Sequence, residues 1–254
     1  MSVPTAPNLP PALQQLRLRA GPLVFAWMAA IAAIHLLFLL AVGLLHSGAA
    51  LQVYDDWLAL SPGNLLQGRV WTLATYVLLH DLRDIWHIVG NLLGLWFFGP
   101  AAVRGLGQRR TLRMLVAAAV VGGLLQVGWQ FVAGRNAPIV GSSAAVLALL
   151  ATFAWQQPDA EIRLFFAIPV RSRYLVPIVL GLDLLMVLSG SPIALAAHLG
   201  GVAVAWWMVR AGGNWRVAQA HLLALLGGKS RKGARFQVID GGKRPDRPNK
   251  WDVN

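Results

Sequence analysis

Between residues 22 and 45 the chain runs through an uninterrupted apolar stretch with no Asp, Glu, Lys or Arg. A hydrocarbon core of about 30 Å takes about twenty helical residues to cross, so this stretch is long enough to span a bilayer. Inside hydrocarbon every backbone N–H and C=O must be satisfied by the chain itself, which leaves helices or closed barrels as the spanning forms. The rest of the sequence agrees. Of its 254 residues 57% are hydrophobic and 13% charged, and the mean hydropathy is +0.58, too apolar for a soluble domain of this length.

Further apolar segments lie at about 85–103, 111–133, 138–155, 173–188 and 192–209. The expected fold is an all-α membrane protein, a bundle of six transmembrane helices occupying residues 22–212. Before it, residues 1–21 are rich in proline and then basic, without the apolar core and cleavage site of a signal peptide, and read as a cytoplasmic arm. Residues 46–84, with Asp55, Asp56, Trp57, Trp71 and the turn Ser61-Pro62-Gly63-Asn64, read as a structured outer loop. Residues 213–254 form a basic cytoplasmic tail.

Positive charge sets the orientation, because short loops rich in Lys and Arg stay in the cytoplasm. Arg17 and Arg19, then Arg104, Arg109, Arg110 and Arg113, then Arg163, Arg171 and Arg173 all fall on one side. The other side has Arg69, Arg83 and Arg135 against Asp55, Asp56, Asp81 and Asp84. Both termini are therefore expected in the cytoplasm, in a bacterial inner membrane. The tail, with Lys229, Arg231, Lys232, Arg235, Lys243, Arg244, Arg247 and Lys250, accounts for much of the net charge of +12. It presents no aromatic platform for nucleic acid, and anionic lipid is its expected partner. Cysteine is absent, which removes thiol chemistry and cysteine-ligated metals.

Three polar residues share a depth in this topology. Asn91, Ser143 and His198 each lie five or six residues past the expected start of the second, fourth and sixth segments, roughly 8 to 9 Å down at 1.5 Å per residue. Each has an ordinary reading by itself: serine packs helices, and Asn or His forms interhelical hydrogen bonds. Polar groups at that depth are costly, and three at one level point to use. A serine hydroxyl becomes a nucleophile when a neutral imidazole takes its proton. The oxyanion of acyl transfer then needs donors, which the Asn91 amide, the His87 ring one turn earlier and the Ser143 backbone N–H offer. No carboxylate is expected in this layer, so the arrangement reads as a Ser-His dyad. Asp183, midway along the fifth segment, reads as structural because no partner is visible in sequence. His35 reads as a packing or hydrogen-bonding residue, and Gln126 and Gln130 as a pair bonding neighbours. His46, His80 and His221 read as loop or interface residues whose spacing fits no zinc site.

Gly141-Ser142-Ser143-Ala144, His87-Ile88-Val89-Gly90-Asn91 and Ala197-His198-Leu199-Gly200-Gly201, on the fourth, second and sixth segments, resemble the rhomboid intramembrane serine proteases. Trp71 through His80, and Asn91-Leu92-Leu93 running to Trp96-Phe97-Phe98-Gly99, also match, and the resemblance covers about residues 22–209. It implies that Ser143 is the nucleophile and His198 its base, with His87 and Asn91 lining the oxyanion site. It also implies that Gly141, Gly201 and Ala205 support close helix packing, that no metal or cofactor is needed, and that substrates are membrane proteins admitted near the second and fifth helices. The sequence departs from the family pattern where Thr72 follows Trp71, where His80 and His87 stand seven apart, where Ala144 replaces a frequent glycine, and where Leu147 replaces a tyrosine. Two other functions compete. A catalytically silent rhomboid-like protein that binds membrane helices for quality control would lack one member of the dyad, and a small transporter would need a polar path across the whole membrane.

Overall fold

The computed structural model describes residues 21–164, 167–190 and 194–213, with 217 and 219. Residues 1–20 of the arm expected over 1–21, His221 and nearly all of the basic tail, including the lysines and arginines expected to meet anionic lipid, lie outside the described residues.

Helix α1, Pro22–Phe38, starts with proline in its first turn, where the missing N–H costs nothing. It continues as a π-helical stretch, Leu39–Leu44. Its buried residues Val24, Ile31, His35 and Phe38 follow heptad spacing, and the exposed leucines around them fit a lipid-facing surface.

The 46–84 connection is folded. It contains α2, Gly48–Gln52, continued by a π-helical turn over Val53–Leu58, then α3, Pro62–Leu66, and α4, Thr72–Thr75, followed by a 3-10 turn over Tyr76–Leu78. Asn64 ties it together, donating from Nδ2 to the carbonyls of Asp55 at 2.9 Å and Ala59 at 2.8 Å. Arg69 donates to Asn64 Oδ1 at 2.9 Å and to the Asp56 carbonyl, and its guanidinium sits 4.7 Å over the Trp57 ring. Trp57 stacks on Trp71, whose indole N–H donates back to the Trp57 carbonyl at 2.8 Å.

Asp84 caps α5, Ile85–Leu106, by accepting from the Trp86 N–H at 3.0 Å. Gly107, at φ 79°, is the whole link to α6, Gln108–Val132. The expected loop around 104–110 is thus helical on both sides of one glycine, which reverses the chain without a Cβ to clash. Helix α7, Ser143–Gln156, is followed by a hairpin of β1, Glu161–Leu164, antiparallel to β2, Ile168–Arg171, an addition to the all-α expectation. Then come α8, Leu175–Leu188, and α9, Leu195–Arg210.

Among the described residues three helical stretches are long and apolar enough to cross a membrane: Pro22–Leu44, Ile85–Leu106 and Gln108–Val132. Helix α7 is shorter, with 14 residues and a length of about 21 Å. It is buried on almost every side from Ala144 to Ala154, as expected of a helix that is apolar all round at the centre of a bundle. Around it stand α5, α6, α8 and α9. Glycines let these neighbours approach: a Cβ on Gly94 of α5 would enter Val146, and one on Gly201 of α9 would enter the carbonyl of Ala144.

Candidate active site

The structure moves the start of the fourth helix from residue 138 to Ser143. The cause lies in the segment before it, which the 46–84 connection holds in extended form. Leu60 and Ile139 exchange backbone hydrogen bonds at 3.1 and 2.7 Å, and the Gly141 N–H donates to the Tyr76 carbonyl at 3.0 Å. Tyr76 is itself fixed to α6 by its hydroxyl, which donates to the Ala119 carbonyl at 2.8 Å. Gly141 then turns the chain at φ 110°, a conformation that resists any side chain.

The matching of depths changes accordingly. Ser143 opens α7, whereas Asn91 is the seventh residue of α5 and His198 the fourth of α9. At a helix start the first backbone N–H groups have no partner within the helix, and the aligned peptide dipoles leave partial positive charge there. Ser143 is half-buried, and Ser142 beside it is buried with its Oγ unpartnered among the described residues.

Backbone packing brings the helix of His198 to that of Ser143. Gly201, one turn beyond His198, lies against the Ala144 backbone, and Gly200 lies against Gly122 of α6. A Cβ on Gly122 would sit 2.7 Å from Ala144 Cβ and 2.8 Å from the Ala197 carbonyl oxygen. Gly122 therefore separates the neighbour of the serine from the neighbour of the histidine by less than a methyl group. Ala205, a further turn along, is fully buried. Among the described residues no hydrogen bond links Ser143 Oγ to His198.

The expectation that no carboxylate reaches this layer is overturned. Asp183 Oδ2 lies 2.6 Å from His198 Nδ1, with the two side chains 10% and 12% exposed. Asp183 is the only ionisable residue of α8, and it faces inward while Leu182, Leu184 and Leu185 face out. Its signal in the sequence was its cost, since a carboxyl group within an apolar segment needs a partner. The partner's position was not legible.

His87 packs its ring on Gly141, where a Cβ would fall 2.6 Å from Nε2. Its Nδ1 accepts a long hydrogen bond of 3.4 Å from the Asp81 N–H. A neutral imidazole that accepts at Nδ1 carries its proton on Nε2, so the N–H points at the turn before Ser143. Asn91 is buried and donates one amide hydrogen to the His87 carbonyl at 2.7 Å, leaving Oδ1 without a partner among the described residues. The same amide group retains a second hydrogen.

His80, expected in a loop or at an interface, lies in the irregular stretch before α5 and is fully buried there, between His35 at 6.5 Å and His87 at 5.1 Å between ring centroids. Burial is the main cause that pushes its pKa down to about 3, the neighbouring His87 and His35 add to it, and a backbone hydrogen bond at Leu78 opposes it. Gln130 Oε1 accepts from the Ala137 N–H at 3.0 Å, while Gln126 Oε1 has no partner among the described residues. Among the described residues no group of three His, Cys, Asp or Glu side chains could hold a metal ion.

The family model of the Rhomboid domain matches residues 67–214, more than half of the chain and the whole of this constellation. The chain belongs to the rhomboid family. The rhomboid chain is 34% identical over 171 residues to the RHOMBOID-like protein 12, mitochondrial, of Arabidopsis thaliana, covering 60% of this chain and 50% of that one. It is 28% identical over 151 residues to the Rhomboid protease GlpG of Salmonella choleraesuis (strain SC-B67), covering 59% and 49%. To the human Presenilin-associated rhomboid-like protein, mitochondrial, it is 26% identical over 133 residues, covering 51% and 35%. The chain spans half or less of the length of these relatives. As a rhomboid with long apolar helices, it is an integral membrane protein of a family that includes serine proteases.

Proposed function

We propose that this rhomboid is an intramembrane serine endopeptidase that cleaves transmembrane or membrane-adjacent segments of other membrane proteins, using Ser143 as nucleophile and His198 as its base. The observation that carries the reading is the placing of Ser143 at the N-terminus of the buried helix α7, with the His198-bearing helix pressed against the next residue's backbone through Gly201.

The chemistry follows from the groups present. Ser143 Oγ adds to the peptide carbonyl carbon as its proton passes to His198 Nε2, and the carbonyl oxygen becomes an oxyanion. The oxyanion meets the His87 Nε2–H, the second amide hydrogen of Asn91 and the unpaired N–H groups of the helix start. The imidazolium gives its proton to the leaving amine nitrogen as the C–N bond breaks. Water, deprotonated by the same ring, then hydrolyses the acyl-enzyme. No step calls for a metal or cofactor.

The wider reading has six transmembrane helices, α1 and α5 to α9, over residues 22–212, with both termini cytoplasmic in a bacterial inner membrane and the basic tail on anionic lipid. The 46–84 connection covers the site from the outer face, and water reaches Ser143 from that side. Two measurements test the activity. Ser143→Ala and His198→Ala should each abolish cleavage of a membrane-anchored substrate in proteoliposomes, and a fluorophosphonate should label wild type and spare Ser143→Ala. Wild-type cleavage by either variant overturns the proposal.

A further inference from the structure

Asp183 stands in a place that the serine–histidine chemistry does not require and that the membrane penalises. Helix α8 is otherwise apolar, and its residues on both sides of Asp183 are exposed where lipid would lie: Leu182, Leu184, Leu185 and Met186. Asp183 alone among these is turned inward, 7% exposed. Among the described residues its carboxylate has one partner, the Nδ1 of His198 at 2.6 Å, short in the manner of a charge-assisted bond. The other polar side chains of α9, Trp206, Trp207 and Arg210, lie more than two turns further along, and the bond takes the ring nitrogen that the proposed base chemistry leaves free.

We infer that Asp183 is a positioning residue for the reaction, holding His198 as the Nδ1–H tautomer with its Nε2 lone pair turned to Ser143, so that the pair works as the active part of a Ser143-His198-Asp183 triad. The inference rests on the serine-protease reading and deepens it.

The physical reason is tautomer control. A carboxylate can only accept, so the ring nitrogen facing it must carry the proton. The other nitrogen is then bare and able to take the hydroxyl proton. When Ser143 Oγ bonds to the carbonyl carbon and its proton moves to Nε2, the ring becomes an imidazolium whose positive charge lies beside the largely buried Asp183 carboxylate. The carboxylate stabilises that charge and takes no proton. The ring then returns the Nε2 proton to the leaving nitrogen and is again neutral with hydrogen on Nδ1. Without Asp183 the ring is free to rotate or to carry hydrogen on Nε2, and in that form it cannot accept from serine.

The experiment uses the full chain in detergent micelles and has two arms. In the first, Asp183→Asn and Asp183→Leu are compared with wild type for cleavage and for fluorophosphonate labelling rate, each normalised to the folded, monodisperse fraction. The expected result is a kcat lower by about 10²–10⁴-fold, with KM within threefold and a matching fall in labelling rate. A residue that only packs helices would leave the labelling rate of the folded fraction unchanged, and that result overturns the inference. In the second arm, 15N NMR of histidine-labelled wild type, with the His198 signals assigned by their loss in His198→Ala, reads the tautomer directly at a pH where the ring is neutral. Hydrogen on Nδ1 supports the inference, and hydrogen on Nε2 overturns it even where the Asp183 variants do not fold. Failure here is separable from failure of the protease reading: if Ser143→Ala and His198→Ala are inactive while Asp183→Asn is as fast as wild type, only the role of Asp183 is lost.

Discussion

Replacing Gly122 by alanine adds one methyl group far in sequence from Ser143 and His198, directly between the two helices that carry them. The new Cβ would lie 2.7 Å from Ala144 Cβ and 2.8 Å from the Ala197 carbonyl oxygen. Carbon contacts are most favourable at about 3.5–4.0 Å, so the overlap with Ala144 is about 0.8 Å or more. Neither obstacle is the far end of a flexible side chain. Ala144 Cβ is fixed to the helix that Ser143 opens, and the Ala197 carbonyl belongs to the backbone before His198. Relief must come from moving α7, α9 or both. Overpacking of this kind costs about 1–3 kcal/mol, which for a domain of this size is a fall in Tm of about 2–4 °C per kcal/mol. The catalytic effect should be larger, since misplacing reacting groups by about 1 Å can cost about 10²-fold in rate. The assay is cleavage of a membrane-anchored substrate beside thermal unfolding in the same detergent. Gly128→Ala on the same helix is the control, because nothing lies within 4 Å of its Cβ position. Gly122→Ala with the Tm and kcat of wild type would refute the claim that close packing at this point sets the distance between serine and histidine.

Three further outcomes are expected. Stability should fall as pH drops below about 6.5, because His80 stays neutral in the folded protein with its pKa down to about 3 while the unfolded chain takes up the proton. At pH 5 the loss from this group is about 2 kcal/mol relative to neutral pH, fully recovered above the unfolded value; Tm against pH should be flatter in His80→Gln. Gly141→Ala places a Cβ 2.6 Å from His87 Nε2 on a backbone at φ 110°, and should cost about 1–3 kcal/mol together with most of the cleavage rate, read by the same pair of assays. Asn64→Ala removes donors to the Asp55 and Ala59 carbonyls and the Oδ1 that receives Arg69. The 46–84 connection should then loosen by about 1–3 kcal/mol, seen as faster amide exchange at residues 55–69 with the helices unchanged.

The sequence by itself determined that the chain lives in a membrane and which residues could do chemistry there. Apolar length is a local property, and the spans from 22, 85 and 108 appear in the structure close to where hydropathy put them. Motifs such as Gly141-Ser142-Ser143 are local too, and they mark the residues that the structure gathers near the start of α7. The shape of that start was decided by tertiary contacts. Residues 138–142 are apolar enough to continue a helix, yet backbone pairing with Leu60 and Tyr76, more than sixty residues away, holds them extended and exposes the first N–H groups at Ser143. The partner of Asp183 was equally hidden, because a carboxyl group fifteen residues from a histidine meets it only when two helices pack at one angle. Gly122 carried no chemical signal at all, and its place between Ala144 and Ala197 exists only once three helices are assembled. Periodicity and composition act along the chain, while helix starts, hydrogen-bond partners and the distances between reacting groups depend on which surfaces the fold presses together.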